Sequence, residues 1–198
     1  QGFDLYDDEI ERPVQSLMAM TELQRTGGEV TSAARAWLVK QQRPWFLWVH
    51  YYDPHLPYAA PAAHVKAAGG RPYDAEIAYV DSEIGSLLKS VDRTSTTIVV
   101  TSDHGESLGD HGEVDHGYFV YDATLRVPLI VAGPGVKHRV VREQVRSIDI
   151  APTIASFANV EWPARPDGGE SLRGLIDGGR RPEQLRAIGA SCDWRRGL

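Results

Sequence analysis

The stretch from Thr96 to Gly117, "TTIVVTSDHGESLGDHGEVDHG", decides the reading of this chain. Its first residues are β-branched and apolar, as expected of a buried strand over 95–101. The seventeen positions from Thr101 to Gly117 then hold three histidines, five carboxylates and four glycines. In open α/β sheets, ligands gather where strands end, because the loops there vary while the sheet holds them in place. A strand leading into such a loop therefore predicts an α/β fold with its chemistry at the strand exit.

The neighbouring segments extend this pattern. Residues 29–40 place Val30, Ala33, Ala34, Trp37 and Leu38 at helical spacing after the helix-hostile pair Gly27 and Gly28. "WFLWVHYY", residues 45–52, is a continuous apolar run of strand length, as expected of a strand covered on both faces in a parallel or mixed sheet. From Asp74, a candidate N-cap, Ile77, Val80, Ile84, Leu87, Leu88 and Val91 keep one helical face apolar. "VPLIVAG", residues 127–133, predicts a further strand. A helix follows from near Ser147 or Asp149, with Pro152 in its first turn and Ile150, Ile154, Phe157 and Ala158 facing inward. The fold class expected is α/β, a mainly parallel or mixed sheet sandwiched by helices. Residues 1–198 are read as one partial domain with its core motifs in 43–175 and a poorly defined tail over 176–198.

The totals exclude several classes of partner. A net charge of −6, with acids and bases spread along 198 residues, offers no basic stripe for nucleic acid. No run is apolar for long enough to span a membrane, and the start lacks the pattern of a signal peptide. The single cysteine, Cys192, excludes an internal disulfide and a thiolate metal cage. Composition is silent on oligomeric state.

Asp103 and His104 form the sharpest pair, because a carboxylate oxygen and an imidazole nitrogen suit a hard or borderline divalent cation. Gly105 permits the sharp turn that brings adjacent side chains to one centre. His55 lies between Pro54 and Pro57, so its backbone is stiff and its ring is aimed at little entropic cost. His116, in a loop rich in glycine and aromatics, is suited to holding an anionic oxygen. His111, Glu106, Asp110, Glu113 and Asp115 read as solvated loop groups or as partners behind the ligands. His64 and His138 read as exposed, Asp7 and Asp8 as a solvated turn, and Arg126 as structural. No phosphate-binding Gly-Lys-Ser/Thr loop, Gly-x-Gly-x-x-Gly, His-Glu-x-x-His or Gly-x-Ser-x-Gly occurs. These residues describe a cation and anion half-site without an attacking group.

Taken in order, "RPWFLWVHYYDPHLPY", "YDAEIAYVDSEIGSLL", "TTIVVTSDHGESLGDHGEVDHGYFVYDATLRVPLIVAGPG" and "VRSIDIAPTIASFANV" resemble the sulfatases of the alkaline phosphatase superfamily. The resemblance implies an arylsulfatase-like sulfuric ester hydrolase acting on a small-molecule or glycan sulfate ester. It also implies a divalent cation, calcium first with manganese or zinc as alternatives, beside a formylglycine nucleophile. It matches Asp103 and His104 to metal ligands and His55 and His116 to catalytic contacts with the sulfate. The Cys/Ser-x-Pro-x-Arg motif that yields formylglycine does not occur in these residues, and no early Asp-Asp pair follows an apolar strand. The chain is therefore read as the C-terminal portion of a sulfatase, inactive or nearly so alone, from a periplasmic or secreted protein. Two alternatives stay open: a phosphodiester, phosphonate ester or phosphoethanolamine-handling hydrolase of the same superfamily, since imidazole also suits zinc or manganese, and a non-catalytic binding module with a degenerate fold.

Overall fold

The structure, a computed structural model, describes residues 2–10, 24–163 and 168–180. Cys192 and most of the tail expected over 176–198 lie outside them. The chain forms two compact units, Gln1–Asp92 and Arg93–Leu198.

In the first unit, α1 (Gly27–Leu38) begins two residues before the predicted start and includes both glycines. The reason is a capping box. Thr26 Oγ1 accepts from the Glu29 N–H, and the Glu29 carboxylate accepts from the Thr26 N–H at 2.8 Å. The glycines are also useful to packing, since a Cβ on Gly28 would meet the Tyr79 hydroxyl at 3.0 Å. Ala34 and Leu38 are buried against Leu87 of α3 (Pro72–Leu88), with Trp37, Trp45, Leu47, Val49 and Val91 packed around them. α3 has Arg71 as N-cap and Pro72 in its first turn, where a missing N–H costs nothing, so Asp74 lies inside the helix instead of capping it. Its apolar stripe is only partly inward, because Ile77 is exposed while Ala75 and Glu76 are buried. The short α2 (Ala62–Ala67) packs on α3.

Residues 45–52 form no regular element and have no strand partner among the described residues. Alternate side chains still separate to opposite sides, as in a strand. Trp45, Leu47 and Val49 face the buried cluster, while Phe46 and Trp48 lie on the other side near Phe3, at ring separations of 5.7 and 6.4 Å. This face was expected to be covered on both sides; Trp48 is 72% exposed. Asp7, read as part of a solvated turn, pairs with Arg25 at 2.7 Å.

In the second unit, β1 (Ile98–Thr101) pairs antiparallel with β2 (Leu129–Ala132), Ile98 opposite Ala132 and Thr101 opposite Leu129. Among the described residues these two antiparallel strands are the whole sheet, and the parallel pairs of the expected mainly parallel or mixed sheet are not among them. The short α4 (Asp122–Leu125) lies between the strands in sequence. α5 (Ile150–Phe157) starts after a 3₁₀ turn at Ser147–Asp149, and α6 (Arg173–Ile176) packs on it. Val99, Leu129 and Val131 of the sheet meet Ile150 and Thr153 of α5 and Leu172. Pro152, Thr153 and Ala155 are the buried residues of α5, whereas Ile150, Ile154 and Phe157 are half-buried and Ala158 is exposed. The inward face is thus turned from the predicted one, because Thr153 satisfies its hydroxyl locally by donating to Asp149 O and accepting from the Leu172 N–H.

Candidate functional site

β1 ends at Thr101, and the chain turns at once into the Asp103-His104-Gly105 triplet. Thr101 Oγ1 donates to Pro128 O, and the Gly105 N–H donates to Thr124 O at 2.8 Å, so both ends of the turn are tied to the segment leading into β2. Gly105 is required there, since an added Cβ would stand 2.1 Å from Ala123 O.

The two side chains of the triplet are held by local hydrogen bonds. Asp103 Oδ1 accepts from the His104 N–H at 3.0 Å. His104 Nδ1 lies 2.9 Å from Gly105 O, and because a carbonyl only accepts, Nδ1 carries the proton. Nε2 lies 3.8 Å from Asp103 Oδ2, and in the Nδ1–H tautomer it is an electron-pair donor. A carboxylate oxygen and an imidazole nitrogen directed to one region fit a divalent cation in donor chemistry. The His104 ring stacks on that of His116 with centroids 4.0 Å apart.

His116 Nδ1 is 2.8 Å from Asp115 Oδ1 and 3.2 Å from Glu106 Oε2. The Glu106 side chain is only 5% exposed. Glu106, Asp115 and His116 bring their ligand atoms within 4.8 Å of one another. Glu106, read either as a solvated loop group or as a partner behind the ligands, is thus withdrawn from solvent against His116. Glu113 organises the same loop: one oxygen accepts from the Tyr118 and Phe119 N–H groups and the other from Ser107 Oγ. His111 stacks on Tyr121 at 4.0 Å. Asp103, His104 and His116 are thus brought together within the second unit, and Arg126 and His138 are exposed.

In the first unit, His55 lies in the proline-bounded loop after the apolar run. Its Nδ1 donates to Leu56 O at 2.6 Å, and its ring packs on Tyr52 with centroids 4.5 Å apart. His64, read as exposed, is half-buried against Tyr79, with Nδ1 enclosed by protein and without a partner.

Sequence reasoning missed a buried carboxyl beside this loop, Glu76 at 2% exposure, next to the buried Asp53 at 9%. The available signal was a second α3 stripe, Glu76, Tyr79 and Glu83, at helical spacing. Burial raises the Glu76 carboxyl above its ordinary value of 4.5, and the adjacent Asp53 adds to the shift against the backbone hydrogen bond from Ala59. A carboxyl whose folded value is raised binds its proton more tightly in the folded state, so its contribution to stability is complete below about pH 4.5 and is lost as pH rises through the raised folded value. Urea unfolding of wild type against Glu76→Gln across that window is expected to show the loss in wild type and a flatter profile in the variant; parallel profiles would refute it.

The family model named Sulfatase matches residues 24–160, more than half of the chain. The chain belongs to the sulfatase family. An N-acetylglucosamine-6-O-sulfatase of Bacteroides thetaiotaomicron is 34% identical over 132 residues, 64% of this chain and 22% of that protein. The solved phosphonate monoester hydrolase of Silicibacter pomeroyi is 37% identical, with a TM-score of 0.52 over 57% of this chain and 23% of its own. The yidJ structure of Bacteroides fragilis, 22% identical, superposes with a TM-score of 0.66 over 82% of this chain and 43% of that chain, a likeness of fold. The fold is that of the alkaline phosphatase-like sulfatases, as the family resemblance implied. The chain spans about a fifth of the length of the curated relatives it matches.

Proposed function

We propose that this chain supplies the cation-binding and anion-holding part of a metal-dependent sulfuric ester hydrolase, with Asp103 and His104 as metal ligands. The observation that carries the reading is the 2.9 Å contact of His104 Nδ1 with Gly105 O, which commits Nδ1 as the donor and leaves Nε2 free 3.8 Å from Asp103 Oδ2. Calcium is the first candidate ion, with manganese or zinc as alternatives. When bound, the cation supplies positive charge that stabilises negative charge developing on an ester oxygen.

The remaining roles belong to the chain's own groups. His116 donates to an anionic oxygen through Nε2, while Glu106 and Asp115 take Nδ1–H and fix the ring. His55, assigned within its own unit, acts through Nε2 in the same way, since Nδ1 is committed to Leu56 O. The formylglycine nucleophile is contributed by none of these residues, so the 198 residues alone are expected to be inactive or nearly so. The substrate is a small-molecule or glycan sulfate ester, and a periplasmic or extracellular location is in keeping with relatives named as extracellular sulfatases. Among the described residues no helix is long and apolar enough to cross a membrane.

A second reading, a phosphonate or phosphate ester hydrolase, is favoured by the likeness to the phosphonate monoester hydrolase. Turnover of 4-nitrophenyl sulfate against phosphate and phosphonate esters by the intact protein separates the two. For the metal assignment, calorimetric titration with Ca²⁺ and Mn²⁺ is expected to show at least about tenfold weaker binding in Asp103→Ala and in His104→Ala. Wild-type affinity in both variants would end the assignment.

A further inference from the structure

We propose that Glu76 of α3 is a positioning residue that clamps the His55 loop at both of its ends, through a proton shared with Asp53 on one side and backbone N–H groups on the other. The inference rests on the reading of His55 as an anion contact.

Glu76 is one of the most deeply buried side chains among the described residues, at 2% exposure, and its position on a helix makes its carboxyl a fixed point. Its Oε1 accepts from the Ala59 N–H at 2.5 Å, with the Ala60 N–H as a further donor. The same carboxyl is in hydrogen-bond contact with Asp53. Asp53 Oδ2 is buried and has no N–H or hydroxyl donor. Two carboxyls in contact within a buried site repel when both are charged, and a proton held by one lets it donate to the other. One proton between them removes the repulsion and supplies the donor that Asp53 lacks.

Asp53 and Ala59 bracket Pro54, His55, Leu56 and Pro57. A single side chain therefore closes the loop that carries His55. The ring follows the loop, since Nδ1 is bonded to the loop's own Leu56 O. Glu76 need not touch a substrate to matter; it sets where the imidazole stands, and displacements of an ångström at such a group are costly.

The test uses the intact protein, with 4-nitrophenyl sulfate as substrate and the His55 imidazole NMR signals as a second readout. Glu76→Ala is expected to lower turnover about tenfold and to shift the His55 signals. Glu76→Gln, whose amide donates to Asp53 and accepts from Ala59, is expected to stay within about threefold of wild type. In a His55→Ala background, Glu76→Ala should add almost nothing, because the group it acts through is gone. Should Glu76→Ala fail to fold, Asp53→Ala takes its place with the same expectations. A loss as large with His55 absent as with it present overturns the clamp, and so does a Gln variant as impaired as Ala. If the His55 signals move with Glu76→Ala while His55→Ala leaves turnover unchanged, the clamp stands and the anion-contact reading of His55 fails.

Discussion

Replacing Asp149 by alanine is expected to cost about 3–5 kcal/mol of folding stability, the range for removing one partner of a buried, hydrogen-bonded ion pair. Asp149 is fully buried at 0% exposure, and Arg146 Nη2 donates to its Oδ1 at 2.9 Å. The Arg146 N–H donates to Oδ2 at 3.1 Å, and the Glu170 N–H, 21 residues away, donates to Oδ1 at 2.9 Å. The carboxylate therefore ties the start of α5 to the segment that precedes α6. Alanine leaves a half-buried guanidinium and two amide hydrogens without their acceptor, a cost larger than the hydrogen bonds themselves. The ion pair also holds the Arg146 guanidinium above its ordinary range, with the Asp149 hydrogen bond the main cause. Urea unfolding with a probe in the second unit measures the loss, and a change below about 1 kcal/mol would show that the segment stands without this carboxylate. Asp149→Asn is expected to fall between, since its amide keeps one acceptor and loses the charge.

The second large effect is expected at Gly105. A methyl group there would lie 2.1 Å from Ala123 O and 3.1 Å from the Ala123 carbonyl carbon, backbone atoms that no rotamer change can move. Either the Gly105 N–H to Thr124 O bond breaks or the Asp103-His104 turn shifts as a whole. Both outcomes move the pair proposed to hold the cation, so Gly105→Ala in the intact protein is expected to lower hydrolysis by more than about a hundredfold. Metal titration should weaken in parallel. Gly85→Ala is the control, because nothing lies within 4 Å of its added Cβ in the last turn of α3; it should leave hydrolysis unchanged. Equal activity of the two variants would remove Gly105 from any role in shaping the site.

Much of the fold was legible in local pattern. The β-branched run at 98–101 became β1, the apolar spacing over 29–38 became most of α1, and the turn after β1 carries the Asp103-His104 pair proposed to hold the cation. The misreadings have specific causes. Gly27 and Gly28 were taken as helix breakers, but a Thr26–Glu29 capping box and the close Tyr79 side chain make them the helix's first turn. The α5 face was assigned by hydrophobicity, and Thr153 took the buried position because its hydroxyl found both a donor and an acceptor nearby. The apolar run over 45–52 was expected to be covered on both sides; its side chains alternate in burial, yet the ladder partner a strand needs is not among the described residues.

The sequence alone determined which chemistry the chain can offer: an aspartate and a histidine side by side at a strand exit, a glycine behind them, and a histidine stiffened between prolines. Those features depend on neighbours along the chain, and local sterics fix them. Only the tertiary structure decided which of the 27 acidic residues are withdrawn from water. Glu76, Glu106, Glu113 and Asp149 look no different in the sequence from solvated carboxylates, because burial is set by elements distant along the chain that close over a side chain. That closure gives an ordinary glutamate or aspartate the fixed geometry and proton affinity that water would otherwise take away.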